Sequence, residues 1–142
     1  MKAKEIWKFP VPSTSMHSCE ARLSHTGADS LVQFDYYDKD QDIVVNSGIL
    51  FECVQAHRHL CEKFLGAKSE EVVKTRFEAY DTLVEYEDSD WVMELREVNK
   101  AIADLWNIKH YAILLDSSGI FEFIARGYKI IEPKEGPLEH GL

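Results

Sequence analysis

The chain has 142 residues, of which 45% are hydrophobic, and a formal net charge of −9. This length and composition suit one folded domain with an ordinary core, which argues against disorder of the whole. The acidity argues against nucleic acid or an anionic membrane as a direct partner, because phosphate contacts need clustered Lys or Arg. Apolar runs are too short for a signal peptide or a membrane span, and the cysteines number three, so we expect a cytoplasmic protein with free thiols.

The first third of the chain predicts short strands. Residues 5–9 are consistent with a strand that two prolines close. Apolar and polar side chains alternate over residues 16–24, and residues 31–37 suit a returning strand. The turn chemistry of residues 26–29 joins the two as a hairpin, and the polar stretch 38–42 is expected to be a loop.

A first helix is predicted from Asn46 or Ser47 to about Leu65, where Gly66 supplies the left-handed terminator. The prediction depends on apolar residues that recur three and four positions apart. The expected inward stripe is Leu50, Val54, His57, Cys61, Phe64 and Leu65.

Two further helices are predicted in the second half of the chain. Ser69 is expected to cap the second, and Asp88 or Ser89 to start the third. Between them, residues 82–86 are predicted as a strand because Thr, Val and Tyr cluster there. The expected inward residues are Val72, Val73, Phe77 and Tyr80 in the second helix, and Trp91, Leu95, Val98, Ile102, Leu105 and Trp106 in the third.

A second hairpin is predicted from residues 110–115 and 120–125, with Gly119 at the turn position that needs positive φ. A further short strand is expected before the last prolines, and residues 133–142 have the composition of a loose tail. The sequence therefore predicts one α+β domain over residues 1–142, an antiparallel sheet of hairpins with about three helices packed on it.

No constellation of residues fixes a reaction. The glycines form neither a G-x-G-x-x-G motif nor a P-loop, so the backbone offers no cradle for a nucleotide. Cys53, His57 and Cys61 recur every fourth residue of the predicted first helix, but roughly 12 Å of helical rise separates the two cysteines, too far for one tetrahedral zinc. We therefore predict no catalytic residue, no metal and no cofactor. The alternative is a small lyase, isomerase or hydrolase with a pocket at that helix and His57 as the base.

The clearest functional signal is an acidic, aromatic segment at residues 78–97. It holds eight acidic side chains against one basic, whereas the rest of the chain has 17 acids and 15 bases. Aromatic rings set among carboxylates suit recognition of a basic surface. The alternative is a solvated outer face of a helix and a strand. Residues 35–42 repeat the pattern with Tyr36 and Tyr37.

Two runs, YDTLVEYEDSDWVMEL (residues 80–95) and HYAILLDSSGIFEFIARGYKII (residues 110–131), resemble small acidic bacterial proteins of uncharacterised or immunity type. Immunity proteins neutralise a cognate toxin by binding it. The resemblance covers about the last half of the chain and lies in the order of elements: a strand, an acidic helix start with a tryptophan, then a hairpin. It implies a compact α+β inhibitor without catalysis, and it carries over no binding residue.

The sequence thus predicts a non-catalytic binding protein that uses an acidic, aromatic face to block a basic protein such as a toxin nuclease. Tyr86 is expected to be the central anchor of this face. The predicted partner-binding residues are Asp81, Glu85, Tyr86, Glu87, Asp88, Asp90 and Glu94, together with Asp38 and Asp40. A homodimer through the sheet edge left by the last hairpin is a further alternative.

Overall fold

The computed structural model describes residues 1–61, 69–101 and 107–138. Within these ranges the chain forms ten β-strands and two α-helices, so the α+β prediction with about three helices on one sheet is wrong. The strands are β1 (Lys2–Lys8), β2 (Arg22–Thr26), β3 (Asp29–Asp38), β4 (Ile43–Glu52), β5 (Ala56–Leu60), β6 (Thr82–Glu87), β7 (Lys109–Leu115), β8 (Gly119–Ala125), β9 (Gly127–Ile130) and β10 (Lys134–Glu135). The helices are α1 (Glu70–Glu78) and α2 (Asp90–Val98).

The strands make two stacked antiparallel sheets. The first sheet has the order β1-β6-β7-β8-β5, and the second has the order β10-β4-β3-β2 with β9 also paired to β4. Large apolar side chains from β3 and β4 meet those of β7 and β8 between the sheets, where the rings of Phe51 and Phe123 stack with centroids 4.1 Å apart. Burial of this shared apolar layer is the main stabilising term for the fold.

Strands β4 and β5 occupy the stretch predicted as the first helix. Val45, Ser47, Ile49 and Phe51 alternate into the core, and β4 pairs with β3 on one side and with β9 and β10 on the other. The apolar residues of this stretch fit the two-residue period of a strand as well as the 3.6-residue period of a helix. The stretch forms a strand because it pairs with other strands on both sides. Cys53, at φ 51°, then turns the chain between the strands. The predicted core residues Phe64 and Leu65 lie outside the described ranges.

Both helices cover the outer face of the first sheet. The caps were predicted correctly, because Ser69 accepts a hydrogen bond from the Val72 N–H and Ser89 accepts one from the Val92 N–H. On this face Ala79, which follows α1, packs with Val84 of β6 and residues of β7 and β8. No helix in the described ranges is long and apolar enough to cross a membrane.

The predicted inward faces of the helices are partly wrong. Val73 and Phe77 of α1 are exposed, as is Val98 of α2, whereas Thr75 of α1 is buried. Trp91, predicted as a core residue, is half-buried. Leu95, also predicted inward, is half-buried, and the predicted inward residues Ile102, Leu105 and Trp106 lie outside the described part of the chain.

The second hairpin and the strand at β6 are confirmed. Gly119 has φ 86° at the turn between β7 and β8, as its position predicted. This hairpin lies inside the first sheet, flanked by β6 and β5. Neither of its strands is therefore the free sheet edge through which the alternative homodimer was predicted to form. The first hairpin is shorter than predicted, since β2 begins at Arg22 and Cys19 adopts φ 66° in the preceding turns.

The predicted loose tail is attached to the second sheet as far as the structure describes it. Strand β10 pairs with Val45 and Asn46 of β4. The Leu138 N–H donates to the buried carboxylate of Asp35 at 2.8 Å, and Leu138 itself is buried. Residues 133–138 are therefore held against the domain rather than loose.

Candidate functional site

The structure does not bring the predicted partner-binding residues together on one face. Glu87, Asp88, Asp90 and Glu94 are all exposed and lie together where β6 passes into α2. Asp88 has φ 56°, which turns the chain sharply and presents successive carboxylates at the start of the helix. Within the described residues, Glu87, Asp88 and Asp90 take part in no ion pair.

Asp81 and Glu85 do not belong to this exposed group. Asp81 lies at the other end of β6, where its Oδ2 accepts a hydrogen bond from the Ser13 N–H at 3.1 Å. Glu85 is half-buried and pairs with Lys109 at 3.8 Å. Lysine side chains of β1 also lie across the ladder from β6, with Lys4 opposite Glu85 and Lys2 opposite Glu87. Some of the carboxylates predicted to form a single acidic face thus accept hydrogen bonds or lie beside lysine side chains within the fold.

Tyr86 is not available as the predicted central anchor. It is only 4% exposed, and its hydroxyl donates to the Thr75 carbonyl of α1 at 2.5 Å. Burial raises the pKa of Tyr86, which keeps the hydroxyl protonated as this donor. The side chain alternates toward α1 because its neighbours on β6, Glu85 and Glu87, face the other way. Tyr86 therefore holds α1 on the sheet.

The exposed side of α2 combines acidic and apolar side chains. Its outward stripe has the spacing i, i+3, i+4, i+7, i+8 of one helix face. The α2 surface, as we call it, consists of Asp88, Asp90, Met93, Glu94, Glu97 and Val98. Met93 is 63% exposed and Val98 is 80% exposed, which places two apolar side chains in water among four acidic ones.

The neighbouring helix α1 repeats this arrangement. Its outward stripe has the same spacing and consists of Glu70, Val73, Lys74, Phe77 and Glu78. Phe77 is 63% exposed, although its ring stacks on that of Tyr80 with centroids 6.0 Å apart. Exposed apolar side chains on two helices of one face, rimmed by charge, are typical of a protein-binding surface.

A buried polar network holds the start of α2 on the sheet. Ser89 Oγ lies 2.7 Å from His110 Nδ1, and His110 Nε2 lies 2.9 Å from Glu122 Oε1. Arg58 donates to both carboxylate oxygens of Glu122, at 2.6 and 3.1 Å, and its guanidinium lies 4.4 Å from the ring centroid of Trp91. The network joins β5, β7 and β8 to the N-terminus of α2.

The protonation of the network follows from its partners. Burial alone raises the pKa of Glu122, but hydrogen bonds from His110 and Arg58 and the charge of Arg58 outweigh it and lower the pKa to about 2. Because a carboxylate only accepts, His110 Nε2 donates to Glu122. In the neutral ring Nδ1 then accepts from the Ser89 hydroxyl, whose oxygen also accepts from the Val92 N–H at 3.3 Å.

The order serine, histidine, carboxylate does not make this network a catalytic triad. Ser89 is 4% exposed and His110 is 1% exposed, so a substrate has no access to the hydroxyl. The Glu122 charge is neutralised by the bidentate Arg58. Sequence reasoning missed the network, although Glu122 is a lone charged residue within the apolar run of β8, a signal for a buried and partnered carboxylate.

Asp38 and Asp40 lie elsewhere, at the turn between β3 and β4 in the second sheet. They belong to a cleft of ≈ 630 Å³ whose walls come from this turn and from the segment after β1. The lining residues are Pro10, Val11, Pro12, Ser15, Tyr36, Tyr37, Asp38, Lys39 and Asp40.

The cysteine and histidine residues weighed as metal ligands or as an enzyme site do not lie on a helix. His57 is exposed on the edge strand β5, with its ring 4.5 Å from that of His25 and stacked on Phe123. Cys53 lies in the turn before β5, where its N–H donates to Asp29. Among the described residues, no three His, Cys, Asp or Glu side chains converge as a metal site. The enzyme alternative therefore loses the helix on which its pocket was predicted.

The histidine pair predicts a pH dependence of stability. Partial burial, and then the charge of His25, lower the pKa of His57 below its ordinary 6.5. Below that pH the unfolded chain takes up a proton that folded His57 resists, so this group contributes stability above pH 6.5 and loses it as the pH falls. We expect the stability of His57→Phe to decline less than that of the wild type between about pH 7 and pH 5, measured by urea unfolding. Parallel curves would contradict the assignment.

The chain matches no protein-family model, no curated protein and no solved structure. The resemblance to immunity-type proteins therefore stays a prediction. Function has to be argued from the geometry of the described residues.

Proposed function

We propose that the protein is a non-catalytic binding protein whose α2 surface captures a basic protein. The observation that carries the proposal is the exposed stripe of α2, in which Met93 and Val98 are apolar and well exposed among carboxylates. Apolar side chains supply affinity once they are covered, and the surrounding charge selects the partner and speeds encounter. A patch used only for solubility has no need of the two apolar residues.

Charge decides between a second copy of the chain and a different partner. The α2 surface carries four acidic side chains, of which Glu97 pairs with Lys100 at 3.6 Å, and Arg96 is the one basic residue within α2. Two such surfaces facing each other would bring like charges together, which opposes association. A surface rich in Lys or Arg is the complementary choice. This favours a basic heterologous partner over a homodimer at this face.

The buried network supports the proposal by fixing the surface before binding. Ser89 caps α2 and reaches His110, so the turn that carries Glu87 and Asp88 is tied to the centre of the first sheet. A surface already in its bound geometry loses less conformational entropy on association. A toxin nuclease with a cationic active site, met in the cytoplasm, is the kind of partner that this proposal implies.

Charge reversal on the α2 surface is expected to remove partner capture. The triple variant Asp90→Lys, Glu94→Lys and Glu97→Lys changes three exposed side chains of the helix stripe outside the core and should fold normally. We expect basic proteins that immobilised wild type retains from a lysate of the native host to be at least tenfold depleted on the variant, as read by mass spectrometry.

The matched control is Glu20→Lys, Glu132→Lys and Glu135→Lys, which makes the same change in net charge at exposed positions outside the α2 surface. A partner that depends on this surface is retained by the control and lost by the first variant. Circular dichroism checks that both variants fold. Equal retention by both variants, or loss of acidic rather than basic proteins, would overturn the proposal.

A further inference from the structure

The cleft beside the β3–β4 turn has apolar walls and a polar mouth. Pro10, Val11 and Pro12 form one side, and the adjacent tyrosines of β3 form the other. Tyr37 is 42% exposed, and its hydroxyl donates to the Asp42 carboxylate, which fixes the ring in position. The cleft therefore offers a held aromatic face next to apolar surface, a combination suited to a ligand with a flat or apolar body.

Tyr36 contributes a polar group that the protein leaves unused. The residue is 7% exposed, with its ring packed edge-on against Phe9 at 5.9 Å between centroids. Within the described residues its hydroxyl forms no hydrogen bond, unlike those of Tyr37 and Tyr86. Hydroxyls of buried tyrosines usually have a partner, so one that lines a cleft is available to a ligand.

The mouth of the cleft is acidic. Asp38 Oδ1 accepts from the backbone N–H groups of Asp40 and Gln41, at 2.9 and 3.3 Å, which orients the carboxylate and leaves Oδ2 without a partner in the described residues. Tyr36 and Asp38 lie two residues apart on β3, so their side chains leave the same face of the strand, and both line the cleft. Burial, and then the charge of Asp38, raise the pKa of Tyr36. Asp40 adds a second negative charge and Lys39 one positive, which leaves the mouth net negative.

We propose that this cleft binds an arginine side chain presented by a polypeptide. The guanidinium lies against the ring of Tyr37 and donates to the free oxygen of Asp38, while the Tyr36 hydroxyl donates to a peptide carbonyl of the ligand. A planar guanidinium stacks on an aromatic ring and hydrogen-bonds a carboxylate in the same pose, which an ammonium group does less well. The site lies in the second sheet and is distinct from the α2 surface, so it goes beyond the function proposed above.

The test is a nuclear magnetic resonance titration of the full chain with the tripeptide acetyl-Gly-Arg-Gly-amide. We expect saturable shifts of the Tyr36 and Tyr37 ring protons. The same tripeptide with citrulline in place of arginine keeps the shape and loses the charge, and it should bind roughly tenfold more weakly. Asp38→Asn should weaken the arginine tripeptide by a similar factor, and Tyr36→Phe by roughly fivefold.

Asp90→Asn provides the matched control, because it removes the same single charge on the α2 surface and should leave the titration unchanged. The titration reads only the cleft, so its failure leaves the proposed function of the α2 surface untouched. Three results would overturn the cleft assignment: no saturable shift, equal binding of the citrulline tripeptide, or wild-type affinity in both cleft variants.

Discussion

Replacing Glu122 by glutamine is expected to lower the free energy of unfolding by about 3 kcal/mol at neutral pH. The lowered pKa of Glu122, about 2 against the ordinary 4.5, means that the folded state holds the ionised carboxylate strongly. Glutamine keeps the shape but presents an amide N–H₂ group to Arg58 or His110, which are themselves donors. One buried donor then loses its partner. Urea unfolding at pH 7 measures the difference.

The effect of Glu122→Gln should shrink in acid. Because the folded pKa is lowered, the contribution of Glu122 is fully present above pH 4.5 and is lost as the pH falls towards 2, where the wild-type carboxyl also becomes neutral. Glu132→Gln is the matched control, an exposed glutamate whose replacement should change stability by less than about 0.5 kcal/mol. A pH-independent difference between Glu122→Gln and wild type would contradict the role of the charge.

Replacing Gly119 by alanine is expected to destabilise the fold by about 3 to 5 kcal/mol, or to prevent folding. Two causes add. The backbone at Gly119 has φ 86°, a conformation that residues with a side chain rarely adopt. In addition, a Cβ at this position would overlap the Leu60 carbonyl oxygen and lie 2.9 Å from the Cys61 Cα. These atoms belong to the backbone at the end of β5, which cannot withdraw without breaking its pairing with β8.

Gly27→Ala isolates the first of these causes. Gly27 also has positive φ, 61°, but a Cβ there meets nothing within 4 Å. We expect this variant to lose only about 1 kcal/mol. Thermal unfolding of both variants against wild type gives the comparison. Similar losses at the two positions would show that contact with β5 contributes nothing.

Local signals predicted the parts of the fold that depend on a few neighbouring residues. Ser69 and Ser89 are helix caps, and Gly119 has the positive φ that its turn needs. The strand β6 was predicted because β-branched and aromatic residues cluster there, and it exists. In each case the local structure is determined by residues within about four positions of one another, so it can be predicted from the sequence alone.

Pairing between distant strands decided what sequence could not. The stretch of β4 fits two periodicities, and only its ladders with β3 and β9 exclude the helix. The buried network depends on antiparallel register in the same way. Arg58 faces Glu122 because β5 pairs with β8, and no spacing along the chain brings them together. The inward faces of the helices were misjudged because Val73, Phe77 and Val98 are apolar yet point outward.

The acidic segment was predicted correctly as a concentration of charge but not as one face. Alternation along β6 sends Tyr86 inward and places Glu85 beside Lys109. The exposed carboxylates continue along α2, where the exposed apolar side chains beside them are Met93 and Val98 rather than Tyr86. Which of several acidic residues form one surface therefore depends on strand alternation and helix phase together.

The position of β1 has a consequence for the order in which the chain folds. The first strand pairs with β6, some eighty residues later, whereas β2 pairs with β3, and β3 pairs with β4, the next strand in the chain. During synthesis the local meander can assemble while the ribosome is still translating the second half. Strand β1 can pair only after β6 has been made, so we expect its addition to the first sheet to be a late event with a large loop-closure entropy. The lysines of β1 keep that waiting segment charged, which disfavours aggregation until β6 emerges.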